Sequence, residues 1–243
     1  MRLSQNFLID ERVAERQIEY AHLKKGDVVL EIGPGNGILT RRIAKIARVI
    51  AIEIDEKLAE RIEKLKNVDV INEDVMKVDL SRLGFNKVVS NIPYHISSPL
   101  TFKLLDEDFE VAILMYQKEF AERMVASHGS KKYSRLSVML YQKADCRILE
   151  YVPRGAFRPV PRVDSCIVEL KPLGRRFDVD DELFRRLVTS LFSHRRKKIK
   201  NALLIDGLID EEMAEKLPFM EERVEHLSPE KIAELCKKME ELK

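Results

Sequence analysis

The sequence predicts an α/β fold, an open, doubly wound, mostly parallel sheet, followed by a small all-helical domain. Three observations lead there. Short apolar runs alternate with helix-period segments over the first two thirds of the 243 residues, as expected for strands covered on both faces. A glycine-rich turn follows the first of these runs. After Pro172-Leu173-Gly174 no strand-like run remains. The expected division is residues 1–174 as the sheet domain and 175–243 as the helical one.

Val28 to Ile32 reads as the first strand, and Ile38 to Ala47 as a helix with apolar residues at Ile38, Leu39, Ile43 and Ile46. Val49 to Ile54 is the second strand and Glu56 to Leu65 the second helix, with Asp55 as its N-cap. Val68 to Asn72, Lys87 to Ser90 with Ile92, and Val111 to Met115 complete five strands. Leu136 to Val152 and Ser165 to Lys171 read as two longer strands flanking a proline-rich corner. Asp180 to Ser193, Arg195 to Leu204, Glu211 to Lys216 and Pro229 to Leu242 read as helices.

Composition narrows the classes. Hydrophobic residues make up 45% of the chain, enough for a substantial core. No apolar run approaches the ~18 residues of a membrane helix, and the N-terminus lacks a secretory pattern. A cytoplasmic monomer is expected. Cys146, Cys166 and Cys236 are isolated and odd in number, which argues against disulfides or a zinc site; no metal is expected. The net charge is only +2, but it is unevenly distributed. Lys171 to Lys200 holds ten Lys/Arg against four Asp/Glu, and Asn201 to Lys243 holds six against twelve. A nucleic acid responds to the local field, since exposed charges are screened over ~8 Å at physiological salt.

Ligands of open α/β sheets bind at the carboxyl ends of the strands. The first strand runs into Glu31-Ile-Gly33-Pro-Gly35-Asn-Gly37. Its glycine spacing is not that of the dinucleotide fingerprint, because Ile38 stands where the third glycine would be, and no Lys-Ser/Thr follows to make a P-loop. The pattern resembles the first motif of class I S-adenosylmethionine methyltransferases, which have a Rossmann-like sheet, and assigns Gly33 and Gly35 to the cofactor. Glu53 ends the second strand, 20 residues beyond Gly33, where an acid can accept hydrogen bonds from both ribose hydroxyls of an adenosine. The third strand ends in Glu73-Asp74. Either carboxylate can accept from an adenine amine, and spacing does not separate them.

The fourth strand runs into Asn91-Ile92-Pro93-Tyr94. This tetrapeptide resembles the catalytic motif of methyltransferases that act on adenine or glutamine nitrogen. The amine of adenine is a poor nucleophile because its lone pair is delocalised into the ring. The Asn91 side-chain carbonyl and the Ile92 backbone carbonyl can accept its two N–H groups. That favours a pyramidal nitrogen and stabilises positive charge as it develops. Pro93 fixes the backbone, and Tyr94 can stack on the base.

The chain resembles the KsgA-type ribosomal RNA adenine dimethyltransferases and their Erm relatives over almost its whole length. The resemblance is carried by Leu3-Ser-Gln5-Asn6-Phe7-Leu8, Asn91 to Pro99, Tyr116 to Glu119, Tyr133 to Val138, Phe157 to Ser165 and Phe192 to Lys198. Ser4 and Ser134 stand where the family usually has glycine. The resemblance implies that Gln5, Asn6 and Leu8 contact S-adenosyl-L-methionine, that Asp74 is the adenine partner, and that Phe157 lines the target-base pocket. It also implies N6,N6-dimethylation of two adjacent adenosines near the 3′ end of small-subunit ribosomal RNA, within a pre-assembled subunit. Two basic segments suit phosphate contacts: Lys131, Lys132 and Arg135, and Arg195, Arg196, Lys197 and Lys198 on an expected helix. Three other readings remain open: an Erm-type enzyme for large-subunit RNA, a non-catalytic ribosome assembly or nucleic-acid-binding factor on this fold, and a DNA adenine methyltransferase.

Overall fold

The computed structural model describes residues 6–242, so the expectation for Gln5 lies outside the described residues. The strands are β1 (Phe7–Leu8), β2 (Val28–Ile32), β3 (Arg48–Ile52), β4 (Val68–Ile71), β5 (Lys87–Asn91), β6 (Val111–Gln117), β7 (Ala144–Val152), β8 (Phe157–Arg158) and β9 (Ser165–Pro172). The helices are α1 (Glu11–Tyr20), α2 (Thr40–Ile43), α3 (Glu56–Glu63), α4 (Ser97–Leu105), α5 (Lys118–Met124), α6 (Arg135–Lys143), α7 (Asp181–Ser193), α8 (Ile199–Ile205), α9 (Glu211–Lys216) and α10 (Pro229–Glu241). None is long and apolar enough to cross a membrane.

Seven strands form one sheet in the order β4-β3-β2-β5-β6-β9-β7. The first five are parallel, and β9 joins β6 antiparallel. Val29, Leu30, Val88, Val89, Ala112, Ile113 and Leu114 are all fully buried. Parallel pairs need crossover connections, and the helices in those crossovers cover such strands on both faces. The register sets Ile32 opposite Ile52, Ile52 opposite Ile71, and Asn91 opposite Met115. The residues after these strands therefore gather at one edge. At the other end, the buried Lys87 Nζ lies 3.1 Å from Asp27 Oδ2 and donates to the carbonyls of Ala21 and His22.

Two compact units result. One comprises Met1–Ala121 with Asp145–Pro172, and the other Glu122–Ala144 with Leu173–Lys243. The single boundary expected after Gly174 is therefore not how the chain divides: residues 122–144 join the second unit. Tyr133 and Val138 explain this, because both are buried in the core built by Leu187, Leu191, Ile199, Leu203 and Leu235. The Tyr133 hydroxyl donates to the Leu227 carbonyl at 2.9 Å.

Other expectations are corrected as well. Leu136 to Val152 is not one strand but α6 followed by β7. Ser137 Oγ accepts from Ser134 N at 3.1 Å and donates to the Arg123 carbonyl at 2.6 Å, which starts a helix where the sequence suggested a strand. Between Ile38 and Ala47, regular helix is confined to Thr40–Ile43. Arg195 to Lys198 form a turn, and helix begins only at Ile199, with Lys198 as N-cap. Four cations in a first helical turn would face the positive end of the helix dipole. Ile199 and Leu203 are fully buried, as their spacing predicts. Asp55 caps α3 by accepting from Leu58 N at 3.1 Å.

Candidate active site

The aligned strand ends enclose a cleft of about 340 Å³, wholly within the first unit. Asn6, Leu8, Gly33, Gly35, Glu53, Asp74, Asn91, Ile92, Pro93, Tyr94 and Phe157, all expected from sequence, line it together.

The glycine turn is shaped by close approach. Gly35 has φ +56°, and a Cβ there would come within 2.8 Å of the Phe7 ring. Gly33 has φ +64°, and its missing Cβ leaves room for the Pro93 ring at 3.2 Å. Only glycine adopts this conformation cheaply while leaving such space. Gly33 N donates to the Ile52 carbonyl at 2.8 Å, which pins the turn to the neighbouring strand.

Glu53 is almost wholly buried. Its Oε2 accepts from Gly35 N at 3.1 Å and its Oε1 from Asp55 N at 3.0 Å. One carboxylate therefore orients the glycine turn and the start of α3, and it keeps lone pairs for a ligand. Glu31, just before the turn, is buried near Glu53, and its Oε2 has no hydrogen-bond partner. Burial pushes its carboxyl up to about 8; Thr40 offsets part of this, and the charge of Glu53 adds to it.

Glu73 and Asp74 both reach the cleft. Asp74 Oδ1 accepts from Met76 N at 2.9 Å, and Glu73 Oε1 accepts from Asp74 N at 2.8 Å. Glu73 is exposed and Asp74 half-buried.

Asn91 ends β5 beside Met115 of β6. Its Oδ1 is buried and accepts no hydrogen bond. Ser90 holds the strand in place through Ile32: its Oγ accepts from Ile32 N at 3.2 Å and donates to the Ile32 carbonyl at 2.5 Å. Ile92 N donates to the Met115 carbonyl at 3.1 Å. The Tyr94 hydroxyl is 2.8 Å from Ser165 Oγ, and burial raises its pKa while this contact lowers it. Phe157 is buried in β8, which pairs with β1 so that Leu8 faces Phe157 and Phe7 faces Arg158.

The N-terminal segment is thus attached directly to the strand that carries the aromatic ring. Sequence reasoning did not assign Phe7 to the site, although it sits inside the quoted Gln5-to-Leu8 motif. Its contact with Gly35 is tertiary and has no local signature. Ile54, Val75 and Met115 also line the cleft and were missed. Each directly follows a predicted acid or ends a predicted strand.

The basic segments lie in the second unit. Lys131, Arg195, Arg196 and Lys197 border one shallow depression there. Arg195 donates to the carbonyls of Lys131 and Ser130, both at 2.8 Å, so it joins the two segments. Lys132 pairs with Glu122 and Lys198 with Glu221 at 2.5 Å. Arg135, Arg196 and Lys197 are exposed.

Comparison with known proteins agrees with this geometry. The model of the family described as ribosomal RNA adenine dimethylase matches residues 1–241. The chain belongs to that family. It is therefore an rRNA adenine dimethyltransferase, not a non-catalytic factor or a DNA enzyme. A probable ribosomal RNA small subunit methyltransferase A of Methanopyrus kandleri is 45% identical over 98% of this chain and 91% of its own length. The crystal structure of a dimethyladenosine transferase from Plasmodium falciparum superposes with a TM-score of 0.83 at 29% identity, covering 97% of this chain and 98% of that one. The 23S rRNA methyltransferase ErmE, also at 29% identity, gives 0.70 over 97% and 100%. The dimethylase family thus accounts for the sheet, the cleft at its carboxyl edge and the helical unit alike.

Proposed function

We propose that this enzyme uses S-adenosyl-L-methionine to dimethylate the N6 amines of two adjacent adenosines near the 3′ end of small-subunit ribosomal RNA. It acts as a cytoplasmic monomer on a pre-assembled subunit. The observation that carries the reading is the buried Asn91 Oδ1, an acceptor with no partner on a residue that lines the cleft. Leaving such a group unsatisfied costs roughly 1–3 kcal/mol, so its retention points to a donor that arrives with substrate. The small-subunit relative favours this RNA over the large-subunit substrate of an Erm-type enzyme.

The cleft suits the cofactor. Gly33 and Gly35 line it with bare backbone, their Cβ positions being taken up by the Pro93 and Phe7 rings. Glu53 offers free lone pairs for the ribose, and Asp74 for the adenine amine, with Asn6 and Leu8 lining the same cleft and Gln5 beside them in sequence. When bound, the cofactor supplies a methyl group made electrophilic by a sulfonium. The protein's part is to present the nucleophile. Asn91 Oδ1 and the Ile92 carbonyl accept the two amine hydrogens, and Tyr94 and Phe157 hold the ring between them. An adenine within an A-form stem is unreachable, so the base is taken from a loop or flipped out. The amine proton leaves after transfer, and no strong base is required. The exposed Arg135, Arg196 and Lys197 hold RNA phosphates together with Lys131, Lys132 and Lys198, while Arg195 keeps the two segments in place.

Incubation with labelled cofactor and small subunits lacking the modification should yield dimethyladenosine on nucleoside analysis. Label in any other nucleoside, or in none, refutes the reading. Glu53→Ala should weaken cofactor binding at least tenfold. It should also lower stability by roughly 1–3 kcal/mol, because it strands the Gly35 and Asp55 amides. An unchanged dissociation constant in calorimetry removes Glu53 from the cofactor site.

A further inference from the structure

Beyond the cleft, one surface of the first unit joins an exposed aromatic ring to four cations. Tyr151, near the end of β7, is 55% exposed. Lys118 Nζ lies 5.4 Å from the centroid of its ring. Asp164 connects this pair to the loop after β8. Its carbonyl accepts from Lys118 N at 2.9 Å, and its Oδ1 accepts from Arg154 N at 2.9 Å. Arg154 reaches the Arg162 carbonyl at 3.4 Å. Arg154, Arg158 and Arg162 are exposed, and among the described residues neither they nor Lys118 form an ion pair. Against these four cations stand Glu119 and Asp164, leaving an excess of two positive charges.

The surface continues from the cleft. The same stretch carries Phe157 into the pocket, and the next residue after Asp164 is Ser165, which contacts the Tyr94 hydroxyl. Val160 and Val163 add apolar area at 59% and 41% exposure. Single exposed apolar residues need no explanation. An aromatic ring, two valines and three guanidinium groups between Tyr151 and Val163, on the stretch that carries Phe157 into the pocket, are another matter. A protein-binding core would be depleted of charge. A single strand of RNA needs this combination: flat groups for unstacked bases and cations for phosphates.

We propose that this rim binds the nucleotides flanking the target adenosine, with Tyr151 stacked on an unpaired base and Arg154, Arg158 and Arg162 on the backbone phosphates. The inference rests on the RNA reading of the cleft. When the target base is drawn out of its stack, its neighbours lose a stacking partner, and the rim replaces it.

The test uses the 3′-terminal fragment of small-subunit rRNA, both naked and within particles, with three variants of the full chain. Tyr151→Ala should raise the Kd for RNA about tenfold, the loss of one base–aromatic stack, and the KM in parallel with kcat unchanged. Tyr151→Phe should behave as wild type. The triple variant Arg154→Gln/Arg158→Gln/Arg162→Gln should flatten the slope of log Kd for naked RNA against log salt by about 2, at roughly 0.7 per single-strand phosphate contact. Cofactor affinity should be unchanged in all three, which reports an intact fold. Unaltered RNA affinity and salt slope in both the alanine and the triple variant overturn the proposal. So does a loss seen with particles but not with naked RNA, since the rim then docks on protein. Binding is measured without cofactor, so the rim is tested even if the wild-type enzyme makes no dimethyladenosine; that outcome would overturn only the reading of the cleft.

Discussion

Asn91→Ala should lower kcat by about 10²–10³-fold, the usual cost of removing one preorganised group that stabilises transition-state charge. Its melting temperature should equal or exceed that of the wild type. The two effects have one origin. Asn91 Oδ1 is buried without a partner, so the folded protein carries its desolvation cost and gains nothing until an amine arrives. Alanine removes both the cost and the catalytic contact, the trade that active sites commonly make with stability. Cofactor affinity should stay within a few-fold of wild type, because Gly33, Gly35 and Glu53 are untouched. Single-turnover methylation with saturating cofactor, paired with thermal denaturation, checks both halves. Near-normal turnover removes Asn91 from the catalytic role, and a large loss of stability shows that its carbonyl supports the fold instead.

A second large effect concerns Glu31, whose carboxyl is pushed up to about 8 by burial. Below about pH 4.5 the group is protonated in both folded and unfolded chains, and it has no influence on stability. Between about 4.5 and 8 the unfolded chain releases this proton while the folded one keeps it, so the contribution to stability falls as pH rises. Above 8 both forms are ionised and the penalty is constant. The total is on the order of 3–5 kcal/mol, from ~1.4 kcal/mol per unit of pKa difference. Glu31→Gln keeps the shape and removes the titration. Denaturant unfolding of the cofactor-free protein should find the variant gaining on wild type steadily from pH 5 to pH 8. Parallel stability curves across that window would show that Glu31 ionises in the folded state as it does in a free peptide.

The sheet and the cleft were legible in the sequence because their signals are local. Runs such as Val28 to Ile32 and Val111 to Met115 are almost wholly apolar, as in strands that helical crossovers cover on both faces. The acids, glycines and Asn91-to-Tyr94 then follow those strands directly. What escaped depended on distance along the chain. Leu136, Val138 and Leu140 alternate as a strand would, and the helix they form is set by Ser134 and Ser137 and by a core completed more than 40 residues later. Arg195 to Lys198 have helical composition but form a turn, with Arg195 engaged by carbonyls at Ser130 and Lys131. Phe7 reads as an ordinary apolar residue until β1 pairs with β8.

The helical unit is built from two stretches of chain separated by β7, β8 and β9. It is therefore not a tail that can be clipped off. A fragment stopped after Gly174 would leave Tyr133 and Val138 without the apolar partners that bury them, and an isolated 175–243 peptide would lack the same two plugs from its own interior. During synthesis, residues 122–144 must wait for residues 173–243 before the core that buries them can close. Expression as separable modules should therefore give two sticky, poorly folded products, and shortening from the C-terminus should harm solubility before it touches the cleft.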